Sequence, residues 1–234
     1  MESKKPLYGI FTDIPPHYDL INRLITLGMD KGWRKKAAIE CASGRPPKFL
    51  DLCCGTGDLA ITVSELIDTP IEIKGLDYSQ PMLDLAASKA RQKGKSISFT
   101  QGDASKLPIA ANYFDCIGIS FAFRNLTYNN PLAKDHLAEM LRVLKPGGRL
   151  VIAESSQPES KFIRALYHGY MRQYVYPIGA LISGNKPAYR YLAESSCRYY
   201  GPRAMREFLI QSGFRAVAYR PLFFGAAGIY SVTR

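Results

Sequence analysis

The stretch Asp51–Ala60, DLCCGTGDLA, decides how the chain is read. The run before it, KFLDLCC at 48–54, reads as a buried strand, and GDLAITVSELI at 57–67 reads as a helix. Gly55 and Gly57 stand at the junction, and with Ala60 they complete a G-x-G-x-x-A spacing. Glycines placed there let the backbone come close to a ligand. The spacing fits a dinucleotide cradle when a strand precedes it and a helix follows. A plain tight turn would use the same residues.

Outward from this turn, strands and helices alternate. IEIKGLD is a second strand, and SQPMLDLAASKARQKG a helix with Ser79 as N-cap, Pro81 in its first turn and Gly94 as its stop. SISFTQGD and the almost wholly apolar FDCIGISFAF are the third and fourth strands. LAKDHLAEMLRVLKPGG is a helix ended by Pro146-Gly147-Gly148, and RLVIAES is a fifth strand. This order predicts a parallel sheet with helices on both faces, right-handed crossovers, and ligands at the strands' C-terminal edge. Upstream, Leu20, Ile21, Leu24, Ile25 and Leu27 have helical spacing, and a second helix begins near Asp30 and carries Trp33. Residues 157–200, rich in Tyr, Arg and Gly, read as inserted helices. PRAMREFLIQSGF is a further helix, and the chain closes with a pair of strands that turn or bulge near Gly225.

Composition limits the function classes. The 234 residues are 47% hydrophobic and 22% charged, as in a globular protein. No apolar run reaches the roughly 20 residues that cross a bilayer. The opening MESKKPLYGIFTDIPPHYD lacks the apolar segment of a secretory signal, so a cytoplasmic protein is the default reading. Five cysteines with no C-x-x-C support neither a disulfide framework nor a zinc site, and no metal is expected. Cys53 and Cys54 read as packing residues. Residues 155–234 carry eleven Lys/Arg against three Asp/Glu, a net +8, while residues 51–154 carry eleven against twelve. The basic flank suits an anionic partner such as a membrane surface or nucleic acid.

Four acids turn the reading away from a dinucleotide. Asp51, four residues before Gly55, and Asp58, at the helix start, put negative charge where a pyrophosphate would sit. Asp77 ends the second strand 20 residues after Gly57, where an acid bonds ribose hydroxyls. Asp103, in GDASKLP after the third strand, is placed to accept from an adenine amino group. A nucleoside with a sulfonium and an ammonium fits these acids, which points to S-adenosylmethionine.

The layout DLCCGTG, GLDYSQPML, QGDASKLP and RVLKPGGRLVIAE resembles class I methyltransferases. That resemblance implies a Rossmann-like α/β fold: a mostly parallel seven-stranded sheet, helices on both faces, and an antiparallel last strand. YDLINRLITLGMDKGW (18–33), ISFAFRNLT (119–127), RVLKPGGRLVIAESSQP (142–158) and YRYLAES (189–195) are similar to the quinone C-methyltransferases of ubiquinone and menaquinone biosynthesis. Matched by motif, that family's cofactor contacts fall on Thr56, Asp77, Asp103, Ala104 and Ser120. The residue reading adds Asp51, Gly55 and Gly57. Departures lie on the acceptor side: Asp30 stands where the family pattern has a histidine three residues before the tryptophan, and Thr26 where it has a serine.

The resemblance and the position of FRNLT after the fourth strand together assign catalytic roles. Arg124 is expected to stabilise a phenolate, and Asn125 to orient a water or the quinol oxygen. The competing readings are a surface ion pair for Arg124 and a helix cap for Asn125. Tyr18 is expected to close over the methyl donor, with plain packing as the alternative, and His17 is a weaker candidate base. Tyr189, Arg190, Tyr191 and Ser195 are expected to line the acceptor pocket. The chain then divides into an N-terminal helical cap (1–47), a cofactor core (48–156), a helical insertion lining the acceptor site (157–200) and a C-terminal helix with strands (201–234), all one methyltransferase domain. The implied partners are a prenylated quinol and, peripherally, an anionic membrane face. No nucleic acid is expected, and a homodimer is left open. The alternative readings are methylation of another small aromatic molecule or of RNA.

Overall fold

The computed structural model describes residues 18–234. Two helices, α1 (Tyr18–Ile25) and α2 (Met29–Ala42), precede the alternating core. The core runs β1 (Lys48–Leu52), α3 (Asp58–Leu66), β2 (Glu72–Asp77), α4 (Gln80–Gln92), β3 (Ser98–Gln101), β4 (Phe114–Ser120), a short α5 (Phe123–Thr127), α6 (Ala133–Val143) and β5 (Leu144–Ser155). The insertion is α7 (Lys161–Tyr170), a π-helical turn (Met171–Val175), α8 (Tyr176–Ser183) and α9 (Lys186–Arg198). The chain finishes with α10 (Pro202–Gln211), β6 (Arg215–Leu222), a 3-10 turn (Phe223–Gly225) and β7 (Ala227–Thr233). None of the described helices is long and apolar enough to cross a membrane.

The seven strands lie in the order β3-β2-β1-β4-β5-β7-β6, parallel through β5, with β7 antiparallel to both its neighbours. This is the sheet expected from the resemblance, down to the antiparallel last strand. The chain steps outward from β1 to β3, then returns to β4 on the other side of β1. The reversal opens a crevice at the C-terminal ends of β1 and β4, where α/β sheets bind ligands.

Alternation along the strands builds a core on each face. Phe49, Cys116, Val151 and Ala153 pack under Ala37, Ala38 and Cys41 of α2 and Leu59, Ala60 and Val63 of α3. Leu50, Ile117, Ile119, Leu150 and Ile152 face Met140 of α6 and Met205 and Leu209 of α10. A third cluster stands apart from the sheet and forms a roof. In it Ile21 and Ile25 of α1 meet Met171, Val175, Ala188 and Tyr189. Burying each isoleucine contributes roughly 1.5–3 kcal/mol. The neighbouring Leu20, Leu24 and Leu27 are exposed, so only part of the apolar spacing upstream is core.

The first turn needs its second glycine. Gly57 has φ 78°, and a Cβ there would lie 2.9 Å from the Ala86 Cβ and 3.0 Å from the Phe99 ring. One expectation fails: Pro146-Gly147-Gly148 does not end a helix. α6 stops at Val143, because Leu144 is wholly buried and already pairs with Phe114. The next pair in register is Cys116 with Arg149, so Lys145–Gly148 bulge from within β5, with Gly147 at φ 76°.

Candidate active site

At the first turn, Gly55 donates its amide to Asp77 Oδ2 at 2.8 Å, and Ser79 donates its amide to Oδ1 at 2.9 Å. Asp77 therefore holds the loop while keeping acceptor capacity on both oxygens. Burial raises its pKa, and the two amides pull it back. Thr56 is buried; its hydroxyl bonds Asp19 Oδ1 at 2.9 Å, and Lys89 donates to it at 3.0 Å. Asp103 folds its own loop by accepting from the Ser105 amide at 2.9 Å and the Ser105 hydroxyl at 2.8 Å, with Ala104 buried behind it. Burial pushes the Cys53 and Cys54 thiols up, so they stay neutral.

Two acids differ from the expectation. Asp51 is 1% exposed and accepts the Ala60 amide at 2.9 Å, tying β1 to α3. Burial lifts its pKa to about 8, so at neutral pH it is mostly uncharged and does not present the negative charge expected of it. Asp58 is neutralised by Arg34, at 2.7 Å, and by Lys89. The charge argument for the cofactor therefore rests on Asp77 and Asp103.

A cavity of about 190 Å³ opens at the ends of β4 and β5. Ser120, Phe121, Arg124, Asn125 and Glu154 form its floor from the sheet. α1, α2, α7, the π-helical turn, α9 and the segment Phe223–Ala227 supply the rest, and the Tyr170 hydroxyl fastens the roof to α1 by donating to the Ile25 carbonyl at 2.9 Å. Phe121 has φ 59°, a strained left-handed setting that turns its ring toward Trp33, at 5.8 Å between centroids. Phe223 stands 6.2 Å from Trp33, which completes an aromatic wall suited to a flat ring.

Arg124 is 3% exposed and pairs with no surface acid. Its amide donates to Glu154 Oε2 at 2.9 Å, its Nε lies 3.9 Å from Oε1, and Nη1 donates to the Ser195 hydroxyl. The guanidinium also sits over the Tyr191 ring at 5.7 Å. Asn125 lies within α5 and caps no helix; the turn leading into α6 is closed by Asn130 instead, which accepts the Leu132 amide at 2.9 Å. Asn125 Oδ1 and Ser120 Oγ are buried and have no hydrogen-bond partner among the described residues. Orphan polar atoms lining a cavity call for a ligand's polar atoms. Ser120, at the end of β4, thus has an acceptor and donor free for a ligand in this cavity.

Of the expected acceptor residues, Tyr189 and Tyr191 line the cavity. Arg190 points outward to the Tyr176 hydroxyl, and Ser195 lies behind Arg124 rather than in the wall. His17 and the side chain of Tyr18 lie outside the described residues. The cavity also holds Glu154 and Tyr167, which the sequence does not single out, and Trp33 and Asp30, to which it gives no site role. An acid closing the apolar strand RLVIAES was the available signal for Glu154, because a buried carboxylate there requires a partner.

Comparison with known proteins completes the picture. A profile of the ubiE/COQ5 methyltransferase family matches residues 1–234. The demethylmenaquinone methyltransferase of Deinococcus radiodurans is 43% identical over 221 residues, 94% of this chain and 89% of its own length. The ubiquinone/menaquinone biosynthesis C-methyltransferase UbiE of Francisella tularensis is 32% identical, over 98% of this chain and 91% of its own. Among solved structures, a SAM-dependent methyltransferase from Aquifex aeolicus aligns with TM-score 0.56 at 19% identity, covering 80% of this chain and 82% of its own.

Proposed function

This chain belongs to the ubiE/COQ5 methyltransferase family, and from that premise we propose that it methylates a ring carbon of a prenylated quinol in respiratory quinone biosynthesis. It is an S-adenosylmethionine-dependent methyltransferase. The demethylated menaquinol is favoured over the ubiquinol precursor, since the relative at 43% identity carries the demethylmenaquinone name. The observation that carries the reading is the aromatic cavity of Trp33, Phe121 and Phe223 with a buried Arg124 in its floor.

Gly55, Thr56, Gly57, Asp77, Asp103, Ala104 and Ser120 would hold the cofactor, and Asp51 would stiffen the turn that presents them. The cofactor, when bound, supplies an electrophilic methyl group. The chain's own residues make the acceptor carbon reactive and place it. The aromatic wall fixes the ring plane, which converts a bimolecular encounter into an oriented one. Arg124, already desolvated, faces a developing phenolate without reorganising, because Glu154 and Ser195 hold it. Asn125 Oδ1 offers an acceptor to a ring hydroxyl or a water. The roof of α1, α7 and α9 covers the cavity.

A prenylated acceptor lives in a bilayer, and the exposed Leu20 and Leu24 of α1 and Leu27 just after it, with Phe162 and Leu166 of α7 and Leu181 of α8, suit an interfacial face beside the cationic C-terminal third. Purified protein given S-adenosylmethionine and a prenylated demethylnaphthoquinol should yield a product about 14 Da heavier by mass spectrometry. Absence of that product with both naphthoquinol and benzoquinol acceptors would overturn the reading. Binding to anionic vesicles should fall with salt; equal binding to neutral and anionic vesicles at low salt would remove the membrane part.

A further inference from the structure

Thr26 and Asp30 meet in the cavity wall. Asp30 lies in the first turn of α2 and is 7% exposed. Its carboxylate has few donors for a buried group. The Thr26 hydroxyl lies 3.2 Å from Oδ1, but the same hydroxyl lies 2.7 Å from the Asn22 carbonyl. One proton cannot serve both acceptors, and the shorter contact takes it. Arg34 stands 3.7 Å from Oδ2, past hydrogen-bond range, while it holds Asp58 at 2.7 Å.

The other carboxylate lining the cavity is better supplied. Glu154 accepts the Arg124 amide on Oε2 and the Ser155 amide on Oε1 at 2.7 Å, with the Arg124 guanidinium beside it. Asp30 is thus the cavity carboxylate with acceptor capacity left, and it faces a space whose proposed occupant carries hydroxyl donors.

We propose that Asp30 takes the hydroxyl proton of the quinol, a role that rests on the function proposed above. The ring O–H bond breaks, the proton bonds to a carboxylate oxygen of Asp30, and the electron pair left on oxygen raises the nucleophilicity of the adjacent ring carbon. That carbon gains its bond to the methyl group as the methyl–sulfur bond breaks, with its pair going to sulfur. The ring C–H proton then leaves to solvent, Asp30 returns its proton to oxygen, and aromaticity is restored. Carboxylate and imidazole can both perform this transfer. Thr26 and Arg34 face Asp30 from its own side; Arg124, Glu154, Tyr167 and Tyr170 line the same cavity.

The test compares Asp30→Asn with Asp30→His. Asparagine keeps the shape and loses the proton affinity, so kcat should fall about 100-fold or more, while calorimetric binding of S-adenosylmethionine and the melting temperature stay put. Histidine should restore at least a tenth of the rate, because an imidazole can accept the same proton, and the acid limb of the kcat/KM profile should move relative to the wild type. An Asp30→Asn enzyme with more than about a third of the wild-type kcat overturns the proposal. So does an Asp30→His limb that does not move, and that variant decides the matter if asparagine fails to fold. Wild-type protein that methylates no prenylated quinol would instead bring down the function on which the proposal rests.

Discussion

Arg124 and Glu154 form a buried pair in which the acid grips the base through its backbone as well as its side chain. The Arg124 amide sits 2.9 Å from Oε2, and the guanidinium Nε sits 3.9 Å from Oε1. The carboxylate therefore fixes both where α5 begins and where the cation points. Removing it with Glu154→Ala would strand a buried guanidinium. A loss of about 3–5 kcal/mol in denaturant unfolding is expected. A loss under about 1 kcal/mol would mean that Arg124 finds another partner.

Arg124→Ala separates chemistry from cofactor binding. The guanidinium lines the acceptor cavity, whereas the first turn and Asp77 lie elsewhere. The expected result is a fall of about 10²–10³-fold in single-turnover rate, with the calorimetric affinity for S-adenosylmethionine held within a few-fold. Near-normal turnover would remove Arg124 from the mechanism.

Gly57→Ala strikes the turn itself. The substitution forces a side chain into φ 78° and against Ala86 and Phe99. It should cost about 1–3 kcal/mol of stability and weaken cofactor binding, while Gly94→Ala, which meets open space despite its φ of 63°, should cost less and leave binding intact. Equal effects of the two on cofactor affinity would count against a special role for the first turn.

Asp51 gives the fold a pH dependence with a definite sign. Its carboxyl is lifted by burial from 3.8 to about 8, so between those values the unfolded chain is ionised there and the native chain is protonated. The unfolded state then binds fewer protons, and stability falls as pH rises through that window. Asp51→Asn keeps an acceptor for the Ala60 amide and removes the titration. Its stability relative to wild type should improve by on the order of 1 kcal/mol per unit between pH 5 and 8. Parallel stability curves for the two proteins across that range would contradict this.

Much of the fold could be read from the chain because period-two and period-3.6 patterns are local, and Phe49 to Leu52 or Leu137 to Met140 declare their faces within a few residues. The KPGG run misleads for the opposite reason. Glycine and proline mark a change of direction, and only the pairing of Leu144 with Phe114, fixed by distant parts of the chain, shows that the change is a bulge within a strand. The site divides in the same way. Gly55, Gly57 and Asp77 lie on one strand-turn unit and its neighbour, so spacing finds them. Asp30, Trp33 and Tyr167 reach the cavity from helices separated by more than a hundred residues, and no local pattern brings them together. The charges of Asp51 and Asp58 differ from the expectation because a sequence shows an acid without the burial or the cations, Arg34 and Lys89, that silence it.

The helix α1 is fastened at both ends: Asp19 to the Thr56 hydroxyl and Lys89, and the Ile25 carbonyl to the Tyr170 hydroxyl. It is a strut between the first turn and the roof. A reactant that claims Thr56 must disturb the strut's near end, and the roof over the other reactant hangs from its far end. The expected kinetic signature is a compulsory order of addition, cofactor before acceptor. Product-inhibition patterns of a random-order enzyme would show that the strut gives way at one end without moving the other.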